Sequence, residues 1–380
     1  MSDKIYHSGL PTPCLLVDRG KLQRNANAMT ARAEEFDFAL RPHVKTTKCA
    51  EIARIAHGGS SGPITVSTLH EADYFLGRGF NDITYAVCIT PNKFGAAAEL
   101  VSRGAKLKLL LADAGIAQAL ATFTEAQACS FDVMLEIDSG EHRTGFVPAD
   151  DAFIETATIV DAAQNLRVAG LLTHGGHSYG CRSVSEIVDV AEQERESLLQ
   201  AKRRLANAGL EAGLISSGST PTAVLGANFD GIDEMRPGVY LVGDLCQWQL
   251  GTCSRDDIAI AVLATVIAHD PSRNQLVIDA GALALSKDRS TATMPVDFGY
   301  GLVVAADGTA LRGDPTVQGV HQEHGEVTAP TPLPFDSLPI GSTVRVLPNH
   351  ACMTAAAYDR YLVVDASEQV VDEWLKTAGW

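Results

Sequence analysis

The chain has 380 residues, with 30 lysines and arginines against 46 aspartates and glutamates, so its formal net charge is −16. A surface of this sign has no general attraction for nucleic acid or anionic lipid, and we expect neither as a partner. Hydrophobic residues make up 46% of the chain and charged residues 20%, a composition that excludes a disordered protein. An anionic ligand must therefore be held by local groups.

The cellular location is predicted from the apolar runs and the cysteine pattern of the sequence. No apolar run approaches the ~18–20 residues needed to cross a bilayer, and the opening MSDKIYHSGLPTP contains no apolar signal segment. The eight cysteines are scattered and form no C-x-x-C pair, which argues against a disulfide framework. We expect a cytoplasmic protein in which most cysteines are buried thiols.

Short apolar runs alternate with amphipathic stretches over the first two thirds of the chain. After a strand at 12–18 and a helix from Asp18 to about Glu35, we predict strands at 38–45, 63–68, 82–87, 106–112, 132–138, 168–174, 213–218 and 234–243. Further helices are predicted at 48–57, 69–78, 92–103, 114–126, 149–163 and 184–208.

Eight strands that alternate with helices indicate parallel pairing, and eight is the number at which side chains fill a closed barrel. A doubly wound open sheet is the alternative, but no G-x-G-x-x-G follows the first strand. From about residue 250 the runs are short and β-like, separated by Gly, Pro, Asp and Asn. We therefore predict an α/β protein: a (β/α)8 TIM-type barrel over 19–245, and a mostly antiparallel β domain formed by 1–18 and 246–380. A long loop at 286–300 could reach a site.

Lys45 ends the first predicted barrel strand, at the face where barrel active sites lie. A lysine buried there is costly to leave charged, and a neutral amine is suited to Schiff-base chemistry. The alternative is a lysine that simply reaches the surface.

One turn with small residues follows the seventh strand and another lies in the eighth strand unit, the region where barrels commonly bind phosphate. The first contains Gly218, Ser219 and Thr220, and the second contains Gly238 and Tyr240. Backbone N–H groups and hydroxyls at such turns can hold an anion. A phosphate cup opposite a strand-one lysine fits pyridoxal 5′-phosphate (PLP).

Polar side chains also follow strands five and six. Arg143 comes after the first of these strands, and His177 and Tyr179 come after the second. A histidine here could be a satisfied core residue, but imidazole, phenol and guanidinium at barrel exits together favour a cofactor pocket. Asp138 is expected to orient Arg143.

In the β domain, His350 and Cys352 lie two residues apart. On an extended segment their side chains would point to the same side, and imidazole with thiolate is a donor pair for Zn²⁺. The alternative is a packed cysteine. Two protein ligands fall short of a structural zinc site but suffice for a catalytic metal that completes its shell with water and substrate.

The segments RPHVKTTK, EIDSGEHRTG, THGGHSY, SSGSTPT, EMRPGVY, VIDAGALALS, EHG and LPNHACMT occur in this order. In this the chain resembles the D-serine dehydratase/D-threonine aldolase family, fold-type III PLP enzymes with an alanine-racemase-like barrel, and within it the branch that dehydrates D-threo-3-hydroxyaspartate and D-serine. The resemblance covers the chain from Thr12 to about Asp365.

The resemblance implies roles for individual residues. Lys45 would form the Schiff base, Arg143 and Tyr179 would contact the PLP ring or its phenolic oxygen, and His350 and Cys352 would bind the metal. The phosphate would be held by Gly218, Ser219, Thr220, Gly238 and Tyr240. In alanine racemases an arginine faces the pyridine nitrogen, and the sequence does not show its equivalent here.

The implied activity is that of a lyase that dehydrates D-3-hydroxy amino acids, with PLP and a divalent metal, Zn²⁺ before Mn²⁺ or Mg²⁺. D-threo-3-hydroxyaspartate would give oxaloacetate and ammonia, and D-serine would give pyruvate and ammonia. Alternatives are retro-aldol cleavage of D-threonine or 3-hydroxy-D-aspartate, a racemase, a PLP-binding regulatory protein and a barrel without cofactor. The family also implies a homodimer.

Overall fold

The computed structural model describes residues 9–380. These residues form two compact units. The β unit consists of the described residues up to Asn27, Thr46–Ile52 and Val239–Ala378. The barrel unit consists of Ala28–Lys45, Ala53–Gly238 and the last two residues. Residues 1–8, which the sequence assigns to the β domain, lie outside the described residues.

A parallel sheet of eight strands forms the centre of the barrel unit. Its strands are β2 (Ala39–Leu40), β3 (Ile64–Val66), β4 (Asp82–Cys88), β5 (Lys106–Leu111), β6 (Phe131–Glu136), β7 (Leu166–Leu172), β8 (Leu214–Ser217) and β9 (Glu234–Met235). They follow the spatial order β2-β9-β8-β7-β6-β5-β4-β3. Beyond β2, Val44 N donates to Thr65 O at 2.9 Å and Thr65 N donates to Pro42 O at 3.0 Å. These bonds join the first strand segment to β3, so the sheet closes and the predicted barrel is confirmed.

Helices connect successive strands, as parallel pairing requires. Those up to β9 are α1 (Arg19–Glu35), α2 (Ala50–Ala56), α3 (Leu69–Leu76), α4 (Phe94–Ser102), α5 (Ala114–Gln127), α6 (Asp151–Ala162), α7 (Val184–Asn207) and α8 (Thr220–Leu225). Several begin at a side-chain cap: Thr68, Asp113 and Ser183 each accept the backbone N–H three residues ahead. No helix within residues 9–380 combines the length and the apolar composition that crossing a membrane requires.

The first and last barrel strands are much shorter than the apolar runs that predicted them. A strand at 38–45 was expected, yet the ladder covers Ala39–Leu40 and the chain enters a turn at Val44. A strand at 234–243 was expected, yet β9 ends at Met235. Pro42 and Pro237 lack the N–H that would extend either ladder. As a result Lys45 lies on a turn and not on a strand.

The β unit is built around an antiparallel barrel of six strands, which confirms the predicted C-terminal architecture. Its ring runs β10 (Ile260–Asp270), β11 (Gln275–Ile278), β14 (Gly325–Thr328), β13 (Thr316–Val320), β12 (Leu302–Ala305) and β15 (Thr343–Leu347), which pairs again with β10. The sheet continues from β10 through β1 (Cys14–Asp18), β16 (Arg360–Val364) and β17 (Val370–Leu375). Short helices α9 (Leu245–Gln249), α10 (Ala282–Leu285) and α11 (Ala351–Ala355) interrupt the strands. The expectation that the strand at 12–18 joins this sheet is confirmed.

A buried ion pair stabilises the barrel where it closes. Arg41 donates from Nε to Glu234 Oε2 at 2.7 Å and from Nη1 to Asp82 Oδ1 at 2.7 Å. Arg41 and Glu234 are 4% and 3% exposed. Removal of one partner would leave the other charge buried without compensation, which is more damaging than loss of a surface pair.

Arg41→Ala is therefore expected to lower the free energy of unfolding by about 3–5 kcal/mol, because it removes the ion-pair partner of the buried Glu234 carboxylate. Arg167→Ala is a matched control, since Arg167 pairs with Asp132 through two hydrogen bonds at the exposed surface; its loss should stay below about 1 kcal/mol. Urea unfolding of both variants measures the difference. Equal losses in the two variants would contradict the assignment.

Candidate active site

A cavity of about 300 Å³ lies at the carboxyl ends of the barrel strands. This is the face at which barrel enzymes carry their chemistry. Its polar lining includes His43, Lys45, Glu136, Arg143, His174 and Arg236. Two of the predicted site residues, Lys45 and Arg143, thus lie in one cavity with Gly218.

Lys45 lines this cavity from the turn that follows Pro42 and His43. The sequence left open whether Lys45 is buried or reaches the surface, and in the structure Lys45 is exposed. The reason is the early end of the first strand, which carries the lysine from the sheet to the open mouth of the cavity. The amine is therefore accessible to a ligand.

Two histidines beside Lys45 are held neutral. Burial, with the positive charges of Lys45 and Arg236, keeps the pKa of His43 well below its usual range. Burial and Lys45 likewise lower the pKa of His174 to about 3. His174 Nδ1 lies 3.0 Å from the Gly218 carbonyl oxygen, so a neutral ring carries its proton on Nδ1. His43 Nδ1 is buried and has no hydrogen-bond partner among the described residues.

Arg236 is the buried cation of the cavity, and the sequence analysis treated only the turn around it. Its Nη1 donates to Ser216 Oγ at 2.7 Å and its Nη2 donates to the Thr173 carbonyl oxygen. Burial lowers its pKa to about 10, against the opposing charge of Glu234. In the sequence, Arg236 immediately precedes a Pro-Gly turn, and this position could have marked it as a candidate site residue.

Gly218, Ser219, Thr220 and Gly238, which were predicted to bind phosphate, lie in the barrel unit, and Tyr240 lies in the β unit. Ser219 caps α8, and its Oγ lies 3.0 Å from Ser178 Oγ. Thr220 Oγ1 accepts the Gly238 N–H at 3.2 Å, which joins the two predicted turns. Gly218 has φ +120°, and a Cβ at Gly238 would lie 2.5 Å from the His43 carbonyl oxygen. Both positions therefore require glycine.

The remaining predicted residues of the barrel unit lie at or near the cavity edge. Arg143 is exposed and pairs with Glu141 at 3.3 Å. Asp138 binds the His142 ring at 2.8 Å, so its expected pairing with Arg143 is not observed. His177 and Tyr179 lie in the turn after β7 and are half-buried. Within the described residues the cavity lining contains His174 instead of these two.

His350 and Cys352 are neighbours in the β unit. They were expected on an extended segment, but His350 is the N-cap of α11 and Cys352 lies in its first turn. The two side chains hydrogen-bond each other. Burial disfavours the His350 imidazolium, yet hydrogen bonds with Asp288 and Cys352 outweigh this and raise its pKa to about 11. Imidazole and thiol thus form a donor pair whose proton a divalent cation can replace.

Other residues of the β unit support this pair. Asp244 is buried and accepts the Ala351 N–H at 2.9 Å, which fixes the start of α11. Thr46 is also buried, and its Oγ1 lies 3.1 Å from Cys352 Sγ. Within residues 9–380 no group of three or more His, Cys, Asp or Glu side chains is arranged to hold a metal. The pair would therefore need ligands from solvent or substrate.

Both donor sets fit the groups that the sequence predicts. For PLP, Lys45, Arg143 and Gly218 line one cavity. The Tyr240 hydroxyl is buried with no partner among the described residues, and burial raises its pKa. An unpaired buried donor is what a missing anion would leave behind. For a metal, the adjoining nitrogen and sulfur of His350 and Cys352 suit a divalent ion of borderline softness.

The low pKa of His174 predicts that acid weakens the fold. The folded protein keeps the ring neutral down to about pH 3, whereas the unfolded chain protonates it near 6.5. Below pH 6.5 the unfolded state binds more protons than the folded state. The free energy of unfolding therefore decreases as the pH is lowered, by at most about 1.4 kcal/mol per pH unit for this residue. Urea unfolding between pH 7 and 4.5 should show a shallower fall for His174→Gln. Parallel curves for both proteins would contradict a neutral His174.

Comparison with known proteins shows the family of this chain. The alanine racemase N-terminal domain family matches residues 17–246, and the putative serine dehydratase domain family matches residues 259–364. The chain is 39% identical to D-threo-3-hydroxyaspartate dehydratase of Delftia sp. (strain HT23) over 98% of both chains. It is 32% identical to D-serine dehydratase of Dictyostelium discoideum over 98% of both chains. D-threonine aldolase of Arthrobacter sp. is 28% identical over 93% of this chain and 89% of the aldolase.

Solved structures agree in fold. The Delftia dehydratase superposes with a TM-score of 0.93 at 37% identity, covering 98% of this chain and 99% of that one. A variant of the same dehydratase, described as metal-free, superposes with a TM-score of 0.94 at the same identity and coverage. The resemblance found in the sequence is thereby confirmed, and the chain belongs to the family of D-threo-3-hydroxyaspartate and D-serine dehydratases, PLP-dependent lyases built on an alanine-racemase-like barrel.

Proposed function

We propose that this protein is a PLP- and divalent-metal-dependent dehydratase of D-3-hydroxy amino acids. D-threo-3-hydroxyaspartate would give oxaloacetate and ammonia, and D-serine would give pyruvate and ammonia. Water is lost in the elimination and regained when the nitrogen is released, so the balance is amino acid to 2-oxo acid and ammonia. The observation that carries the proposal is the cavity in which Lys45, Arg143 and Arg236 gather around neutral imidazoles.

Several residues of the chain would hold PLP. Lys45 would bind it covalently, and the turns at Gly218–Thr220 and Gly238, with the Tyr240 hydroxyl, would bind its phosphate. Arg236 is proposed as the partner of the pyridine nitrogen, since its guanidinium is fixed by Ser216 and Thr173 within the same cavity wall. When bound, PLP supplies an electron sink for the charge that develops at Cα.

The proton transfers fall to Lys45. Its amine lines the cavity and, once an incoming D-amino acid has released it from PLP, would take the Cα proton of that amino acid. His43 and His174 are neutral, so they orient groups by hydrogen bonds and add no positive charge to the cavity. Arg143, at the exposed edge, can attract the carboxylate of an incoming amino acid or the phenolic oxygen of PLP.

The β unit supplies the proposed metal ligands, His350 and Cys352. A divalent metal there would supply Lewis-acid stabilisation for the departing hydroxyl. Thr46, whose hydroxyl contacts the Cys352 thiol, is the residue directly after Lys45 in the chain. A single peptide bond thus joins the lysine to the residue that contacts a proposed metal ligand.

Three finer points belong to the same proposal. Zinc is the proposed metal, because imidazole with thiolate favours it over Mn²⁺ or Mg²⁺. A cytoplasmic location is supported by the eight cysteines, all of them free thiols in the described chain. A homodimer is proposed from the family alone.

Retro-aldol cleavage is the second candidate function, favoured by the similarity to a D-threonine aldolase. It would use the same lysine and metal pair but break the Cα–Cβ bond and yield glycine with an aldehyde. The dehydratases match the chain at higher identity and coverage, and dehydration is therefore the first proposal.

The products decide between the two reactions. With PLP and Zn²⁺ present, D-threo-3-hydroxyaspartate should release ammonia and oxaloacetate in equal amounts, and D-serine should release ammonia and pyruvate. Ammonia is measured with a coupled dehydrogenase, and amino acid products by chromatography. Glycine and an aldehyde without ammonia would overturn the dehydratase in favour of the aldolase.

Lys45→Ala should remove the visible absorbance of lysine-bound PLP and abolish turnover, because no other amine would occupy that place in the cavity. Lys106→Ala, at the exposed start of β5, should keep both properties. Borohydride reduction of the parent protein should add the mass of PLP to the peptide that contains Lys45. Visible absorbance retained in Lys45→Ala would contradict the assignment.

A further inference from the structure

The loop at 286–300 is fixed to the residue that precedes His350. Asn349 is 3% exposed. Its Nδ2 donates to the Gly299 carbonyl oxygen at 2.6 Å and to the Asp288 carbonyl oxygen at 3.3 Å. Its Oδ1 accepts the Thr291 hydroxyl at 3.1 Å. The buried Asn349 amide thus holds both ends of the loop. Because Asn349 precedes His350 and binds the Asp288 carbonyl oxygen, it fixes the backbone of Asp288 relative to His350.

The Asp288 carboxylate is held at both oxygens. Oδ1 accepts the Ser290 N–H at 2.7 Å, within the loop itself. Oδ2 lies 3.0 Å from His350 Nδ1. The carboxylate is therefore oriented before any ligand binds, with one oxygen facing the imidazole.

A histidine that binds a metal uses one ring nitrogen as a lone-pair donor and keeps the proton on the other. A carboxylate that accepts this proton fixes the tautomer and the ring orientation and raises the basicity of the ligand nitrogen. With Nδ1 bonded to Asp288, the nitrogen left for a metal is Nε2. Asp288 Oδ2 is occupied by the same bond, which argues against Asp288 as a ligand itself.

We propose that Asp288 is the positioning residue of the metal centre: it holds the proton on His350 Nδ1 and so presents Nε2 to the cation. The inference rests on the proposed metal role of His350 and Cys352. The inference gives a structural role to the loop at 286–300, for which the proposed reaction otherwise offers no explanation.

The test measures Zn²⁺ affinity of the full-length, PLP-loaded, metal-stripped protein by competition with a chromogenic chelator. Loss of such a hydrogen-bond partner typically weakens metal binding about 10–100-fold. We expect about 10-fold for Asp288→Asn, which keeps an acceptor but loses the charge, and about 100-fold for Asp288→Ala, which loses both.

Asp297→Asn is the matched control, since Asp297 lies in the same loop and bonds Arg289 and the Gly299 N–H but not His350. It should bind Zn²⁺ within about twofold of the parent, by the usual insensitivity to changes away from the ligands. Thermal melts followed by circular dichroism confirm that each variant folds; should Asp288→Ala fail to fold, the nearly isosteric Asp288→Asn carries the test.

A second readout is specific for the tautomer. In protein labelled with ¹⁵N-histidine, the resonances that disappear in His350→Ala identify the ring, and Zn²⁺ should shift its Nε2 while Nδ1 keeps its proton. Zn²⁺ on Nδ1 in the parent, or unchanged affinity in both Asp288 variants, would overturn the inference. Unchanged affinity in His350→Ala would instead overturn the proposed metal site.

Discussion

Positive charge concentrated in one cavity governs the chemistry of this protein. The chain as a whole carries a net charge of −16, yet Lys45, Arg143 and Arg236 line a cavity of about 300 Å³. Burial is the main reason that His43 and His174 stay neutral, and repulsion by Lys45 and Arg236 adds to it. The attraction for a phosphate or a carboxylate is therefore local, as the composition required.

The same hydrogen bonds connect the closure of the barrel to this cavity. Arg41 binds one oxygen of Glu234 at 2.7 Å, and the Ser216 hydroxyl donates to the other at 2.6 Å. Ser216 in turn accepts Arg236 Nη1 at 2.7 Å. The buried carboxylate that stabilises the junction of the first and last strands thus also fixes, through one hydroxyl, the guanidinium proposed to face PLP. Stability and cofactor orientation are in this way coupled by geometry.

The sequence predicted those features that depend on local pattern. Apolar runs with capping residues located the strands and helices to within a few residues, and the glycine turns with Lys45 located the cavity. It failed where the partner is distant or the backbone changes direction. Asp288 lies 62 residues from His350, and Thr173 lies 63 residues from Arg236; no periodicity joins them. Pro42 and Pro237 end two strands earlier than their apolar runs predict, and Lys45 lies on an exposed turn after Pro42.

The neutral histidines also bear on how the hydroxyl leaves. With a pKa of about 3, His174 is not protonated to the acidic imidazolium near neutral pH, and burial also keeps the pKa of His43 well below its usual range. The Cys88 thiol in the cavity donates to Glu136 at 3.0 Å, and burial raises its pKa, so it too is a poor acid. A cavity with neutral imidazoles and a buried thiol suits proton abstraction by an amine better than acid catalysis of hydroxide departure. That division favours placing the stabilisation of the departing oxygen on separate residues, which is the part proposed for His350 and Cys352.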